Sequence, residues 1–180
     1  IRLEQALPQG VHAPRVAHVG KNLAVAKAYR EWLSHGPRLQ MIERIDGLSP
    51  GGASARVRAS LPADWLASSG DGAPGWVFDP ALLDAAAQMA WIWARAYRDE
   101  TALPTRFGRV TRYSDRHCPL VIMEYQRREG DDAHLVRGDV VFFDEAGEPI
   151  MAIEELDSVT SAALNRLGGG ARRSAQDAAA

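Results

Sequence analysis

Cysteine is almost absent from this 180-residue chain: Cys118 stands alone, which excludes an internal disulfide and any zinc site built from thiolates. Lysine is nearly as scarce. Lys21 and Lys27 are the only two, so the 21 basic residues are almost all arginine, and they lie scattered among 23 acids. That mixture, with a formal net charge of −2, is a solvated surface, and no nucleic-acid partner is expected. A membrane span needs roughly 20 clean apolar residues. The most apolar stretch, 81–97, is broken by Asp84, Gln88 and Arg95, so it reads as a buried helix and no membrane partner is expected. There is no glycine-rich phosphate loop and no Ser or Cys nucleophile motif. The single cysteine fits a reducing cytoplasm, and the chain opens Ile1-Arg2-Leu3-Glu4 without Met or a signal segment, which reads as an excised piece of something longer.

What is present suits one globular domain, with 46% hydrophobic and 24% charged residues. Residues 1–21 read as a lead-in segment or linker. From Asn22, the residues Leu23, Val25, Ala26, Tyr29, Trp32 and Leu33 share one side of a 3.6-residue period, with Asn22 as cap and Gly36-Pro37 as stop, which predicts an amphipathic helix. A strand over 38–45, turn chemistry at Ser49-Pro50-Gly51-Gly52 and alternation over 53–61 predict a hairpin. Asp79-Pro80 opens a helix that is apolar almost all round as far as Tyr97. Four more alternating segments follow, at about 106–113, 120–127, 134–143 and 149–159. Residues 166–180 read as a flexible tail or linker. An α+β architecture, an antiparallel sheet of about six strands wrapped around one long central helix, is the economical way to enclose such a helix over residues 22–165. That is the hot-dog fold.

Asp84 is the residue most suggestive of chemistry. A carboxyl in the first turns of an otherwise apolar helix must find a partner or open onto a cavity. Gln88, one turn on, shares its face and can hold one carboxyl oxygen while the other meets a substrate. The bland alternative is an Asp84 that points outward. Among the five histidines, His12, His18, His117 and His134 read as surface or core-edge residues, none with a second metal ligand at a suitable spacing, and no metal is expected. His35 differs because it precedes the Gly36-Pro37 break, although a cation at a helix C-terminus would explain it as well. Trp91, Trp93 and Tyr97 read as core packing.

The segment Phe78-Asp79-Pro80-Ala81-Leu82-Leu83-Asp84-Ala85-Ala86-Ala87-Gln88 resembles one in the dehydratase domains of type I polyketide synthases and polyunsaturated fatty acid synthases. Trp32-Leu33-Ser34-His35-Gly36-Pro37-Arg38-Leu39-Gln40 resembles the Gly-Pro-x-Phe motif of that family, with Leu39 in place of Phe. Leu103 to Val110 and Val140 to Leu156 resemble later strands of it, so the likeness covers about 25–160. The resemblance implies the C-terminal half of a double hot dog that removes water from β-hydroxyacyl groups. Those groups are carried as thioesters on the phosphopantetheine of an acyl carrier protein, and no further cofactor is needed.

In this likeness Asp84 is the general acid and Gln88 orients it, while His35, Gly36, Pro37, Leu39 and Pro80 bind substrate. The family's base is a histidine in a His-x-x-x-Gly-x-x-x-x-Pro motif of the N-terminal hot dog. That motif is not found here: His18-Val19-Gly20 lacks the required spacings. The expectation is therefore an incomplete enzyme whose histidine comes from another hot dog, as an N-terminal partner or a homodimer mate, or from an atypical residue such as His35. A non-catalytic scaffold or carrier-protein docking domain is the alternative.

Overall fold

In a computed structural model, residues 23–66, 75–130 and 132–168 are described. The lead-in segment, His12, His18, the Asn22 cap and residues 169–180 of the expected tail lie outside them.

Six strands form one antiparallel sheet: β1 (Ile42–Ser49), β2 (Gly52–Arg58), β3 (Thr101–Arg112), β4 (Leu120–Arg128), β5 (Leu135–Phe143) and β6 (Pro149–Ser161). Their order is β1-β2-β4-β5-β6-β3, so β1 and β3 are the edges. The connection between β2 and β3 carries the central helix, Pro80–Arg98. The sheet curls around that helix as the apolar pattern requires. Ala85, Ala86, Met89, Ala90, Ile92 and Ala94 share one core with Val57, Met123, Tyr125, Val140, Phe142, Ile153 and Leu156. No helix among the described residues is long and apolar enough to cross a membrane.

The helix begins where its sequence says it should. Asp79 accepts hydrogen bonds from the Ala81 N–H at 2.8 Å and from the Ser60 N–H and hydroxyl, both at 2.6 Å, which ties the cap to the end of β2. At the other end Asp99 is left-handed, with φ of 54°, and its N–H reaches the Ala94 carbonyl. Trp93 and Tyr97 anchor the last turns by donating to the carbonyls of Ser49 and Leu48 at 3.0 and 2.9 Å. Inside the sheet, Gly138 has a packing reason: a Cβ there would lie 2.3 Å from the Tyr125 ring.

Several boundaries differ from expectation. The predicted helix from residue 22 is only Val25–Lys27, continued by a π-helical turn, Ala28–Trp32. Ala28 is buried there and Ala26 is exposed, and the wider turn is closed by the Leu33 N–H to Ala28 carbonyl bond. The strand expected over 38–45 starts at Ile42, since Pro37–Leu39 forms a 3-10 turn first. β2 stops at Arg58, so Leu61 is exposed. β3 begins at Thr101, five residues early, because its partner β6 runs on to Ser161 and pairs with it. His134 lies in the turn before β5, not in the strand.

Candidate active site

The central helix shows two kinds of side. Asp84, Gln88, Trp91 and Arg95, spaced by four, three and four residues, form one stripe. The segment over 29–39 meets each of them. His35 lies beside Asp84 and Trp91, Tyr29 and Leu39 bond to Gln88, and Trp32 lies under the Arg95 guanidinium at 6.0 Å.

Gln88 is fully buried, and its amide is fixed at both ends. Its Nε2 donates to the Leu39 carbonyl at 2.7 Å, and its Oε1 accepts from the Tyr29 hydroxyl at 2.9 Å. That hydroxyl accepts the Ile42 N–H at 3.0 Å, so its own hydrogen is free to go to Gln88. A carbonyl cannot donate and an N–H cannot accept, so these two backbone groups decide which way the amide faces. Burial pushes the Tyr29 phenol far up from its ordinary value, which keeps it a donor.

Nε2 of Gln88 also donates to Oδ2 of Asp84 at 2.6 Å. With Oδ2 serving as acceptor, a proton carried by the carboxyl group sits on Oδ1. Oδ1 faces Nε2 of His35 at 3.6 Å, and the two side chains are 30% and 15% exposed. The His35 ring packs edge to face on Trp91 at 5.8 Å, and the His35 carbonyl accepts from Gln40 Nε2 at 3.0 Å. Nδ1 of His35 is buried and finds no partner among the described residues.

The structure thus brings together Asp84, Gln88, His35 and Leu39, the last through its carbonyl. Gly36 and Pro37 are exposed at the turn beyond, where Pro37 lines an open cleft of about 280 Å3 with Arg38, Met41, Arg58, Asp64 and Trp65. Pro80 does not join them. It fills the first helical turn, near a smaller cleft of about 70 Å3 lined by Ser60, Trp76, Asp79, Leu82 and Arg112 among others. Tyr29 is the member that sequence reasoning missed, having counted it as one more apolar position of a helix. No group of acids, histidines or cysteine that could hold a metal occurs among the described residues.

Residues 8–166 match the family model described as the polyketide synthase dehydratase N-terminal domain. The chain belongs to that family. The model's description names the N-terminal domain, whereas the Asp84 segment resembles the C-terminal hot dog; the match decides the family and not the half. Solved structures of the same fold include the dehydratase domain from the CurF module of curacin polyketide synthase, with 19% identity, a TM-score of 0.62, and coverage of 88% of this chain and 55% of that one. The dehydratase domain of RzxB from Pseudomonas fluorescens is 22% identical with a TM-score of 0.56, over 76% of this chain and 48% of that one. Two inactive mutants of the CurK dehydratase, one an Asp-to-Asn and one a His-to-Phe substitution, are each 21% identical. Their TM-scores are 0.59 and 0.60, over 84% and 83% of this chain and 51% and 50% of theirs. This dehydratase-family chain spans about half the length of the solved structures it matches. No curated protein sequence matches it.

Proposed function

We propose that the chain is the acid-bearing, C-terminal hot dog of a dehydratase that converts β-hydroxyacyl thioesters on an acyl carrier protein to α,β-unsaturated thioesters. The observation that carries this reading is the state of Asp84. One carboxyl oxygen is held by a buried amide, and the other, on a side chain that stays partly exposed, faces the His35 imidazole at 3.6 Å. A carboxyl group so held can deliver one proton to a departing hydroxyl, and its orientation is set before substrate arrives. Loss of activity in the CurK dehydratase on changing an Asp or a His supports a pair of proton-transferring groups of these two types. Elimination of water is redox-neutral, so no cofactor beyond the carrier's phosphopantetheine arm is required. The base is an imidazole, drawn from a second hot dog or from this chain.

A second hot dog also suits the fold. β1 and β3 leave two sheet edges, and residues 104–109 of β3 are exposed as a continuous run. An N-terminal half or a second copy of the chain would lie alongside, within a cytoplasmic synthase. The test is Asp84→Asn, assayed with a 3-hydroxybutyryl carrier-protein thioester in the presence of an N-terminal hot dog. Dehydration falls by about 10²-fold or more with folding unchanged. Full activity with Asn at 84 would overturn the reading.

A further inference from the structure

We propose that the open cleft beside the Gly36-Pro37 turn seats the carrier's phosphopantetheine arm, with Arg38 and Arg58 taking its phosphate; the inference rests on the reading of the substrate as a carrier-bound thioester.

The cleft, of about 280 Å3, has an apolar lining of Met41, Ala59 and Trp65 and a charged lining of Arg38, Arg58 and Asp64. Backbone bonds fix where the two arginines stand. The turn that carries Arg38 is closed by the Leu39 N–H to the Gly36 carbonyl at 2.9 Å and by Gln40 Nε2 to the His35 carbonyl at 3.0 Å. Arg58 ends β2, and its N–H donates to the Met41 carbonyl at 2.9 Å, which draws it alongside that turn.

Positive charge is in surplus here. The exposed Arg38 guanidinium finds no acid among the described residues. Arg58 has Glu43 at 3.9 Å, with side chains 54% and 48% exposed, a pair too loose and too wet to occupy it. Asp64 is turned to its own backbone, where Oδ2 accepts the Leu61 N–H at 2.7 Å. Elsewhere arginines are answered at close range, Arg30 by Glu31 at 2.7 Å, Arg106 by Glu155 at 2.8 Å and Arg128 by Asp139 at 2.6 Å.

Two unanswered guanidiniums suit a phosphate, whose oxygens accept their parallel N–H donors. A bare anion would leave the apolar lining unused. The phosphopantetheine arm joins a phosphodiester to a dimethyl-bearing carbon and two amides, so it answers both linings. The cleft also borders the groups that hold Asp84. Arg38 precedes Leu39, whose carbonyl accepts from Gln88 Nε2 at 2.7 Å, and the same nitrogen donates to Asp84. Arg58 lies two residues before Ser60, which bonds to Asp79 at the start of the central helix.

The experiment titrates 4′-phosphopantetheine and pantetheine, which differ only in the phosphate, into the 180-residue chain and follows the Trp65 indole by NMR. The phosphorylated compound binds about tenfold more tightly. The double variant Arg38→Gln/Arg58→Gln, folded by circular dichroism, binds both compounds equally. Arg44→Gln, on β1 and outside the cleft, keeps the tenfold preference. A second measurement supplies an N-terminal hot dog. The double variant then raises KM for the 3-hydroxybutyryl carrier-protein thioester about tenfold with kcat unchanged. The N-acetylcysteamine thioester, which has no phosphate, is turned over as before.

Equal binding of the two compounds by the unsubstituted chain overturns the proposal, as does loss of the preference in Arg44→Gln. Equal losses on the carrier and N-acetylcysteamine substrates also overturn it, because the arginines then act on the fold or the chemistry. So does a carrier protein without its arm that binds as tightly as one with it, because the arginines then meet the carrier's surface. The binding result is read without turnover, so it is independent of Asp84→Asn: full dehydration by that variant ends the acid reading alone, and a missing phosphate preference ends the cleft assignment alone.

Discussion

The two sides of the central helix obey different rules. Toward the sheet, Met89 and Ile92 are fully buried among aliphatic and aromatic side chains, and contact area is all they supply. Toward the 29–39 segment, Asp84, Gln88 and Arg95 are polar, and each is engaged by a specific partner. One side can be repacked with other apolar groups of similar volume at modest cost. The other depends on hydrogen-bond geometry, where one missing atom strands its partners. On the proposed reading of Asp84, stability and chemistry separate across a single helix, and substitutions on the two sides should fail in different measurements.

The sharpest contrast sets Asp84→Asn against Ile92→Ala. Asp84→Asn keeps the volume and an acceptor for Gln88, so denaturant unfolding changes by less than about 1 kcal/mol, while dehydration falls by about 10²-fold or more. Ile92→Ala opens a cavity and lowers unfolding free energy by roughly 2–5 kcal/mol, with turnover per folded molecule nearly unchanged. Equal losses of stability in the two variants would erase the distinction between the sides.

Tyr29→Phe tests the link between the site and the fold. It strands the Ile42 N–H and Gln88 Oε1, at roughly 1–3 kcal/mol in thermal or denaturant unfolding, and it lets the Gln88 amide lose its grip on Asp84. Turnover falls by less than for Asp84→Asn. The same variant alters the alkaline limb of stability. Burial raises the phenols of Tyr29 and Tyr125 in the folded chain, so above about pH 10, the ordinary tyrosine value, the unfolded state has released protons that the native state retains. The native state then binds more protons, and stability falls as pH rises. Tyr29→Phe makes that fall shallower, whereas an unchanged slope would show that the phenol does not contribute.

The smallest effect belongs to Arg95→Ala, which removes a cation–π contact with Trp32 and an ion pair with the exposed carboxylate of Asp99. It should cost about 0.5–1 kcal/mol, with activity unaltered. A large loss of turnover would extend the chemical side of the helix beyond Trp91.

Legibility followed the same division. The central helix, the hairpin turn at Pro50-Gly51 and four of the strands were readable because each writes its own local pattern: a cap with proline, a tight turn, or alternation of faces. The segment over 22–39 was not. Its apolar spacing describes a regular helix, and a π turn followed by extended chain and a 3-10 turn has no simple period to read. Tyr29 was hidden for that reason. Its hydroxyl has a role only because residue 42 and residue 88 meet it in space.

Local sequence by itself determined the helix that must be enclosed, the alternating strands that enclose it, and the pairing of Asp84 with Gln88 one turn apart. Those are consequences of spacing along one chain, where the helical repeat alone sets who faces whom. Only the tertiary structure decided which carboxyl oxygen of Asp84 is held by Gln88 and which faces His35, because that depends on a chain of donors and acceptors from residues 29, 39, 42 and 88. The tertiary structure also brought His35 within 3.6 Å of Asp84, across 49 residues of chain. No local repeat records that distance, since it is set by how the 29–39 segment packs against the side of the helix that carries Asp84, Gln88 and Trp91.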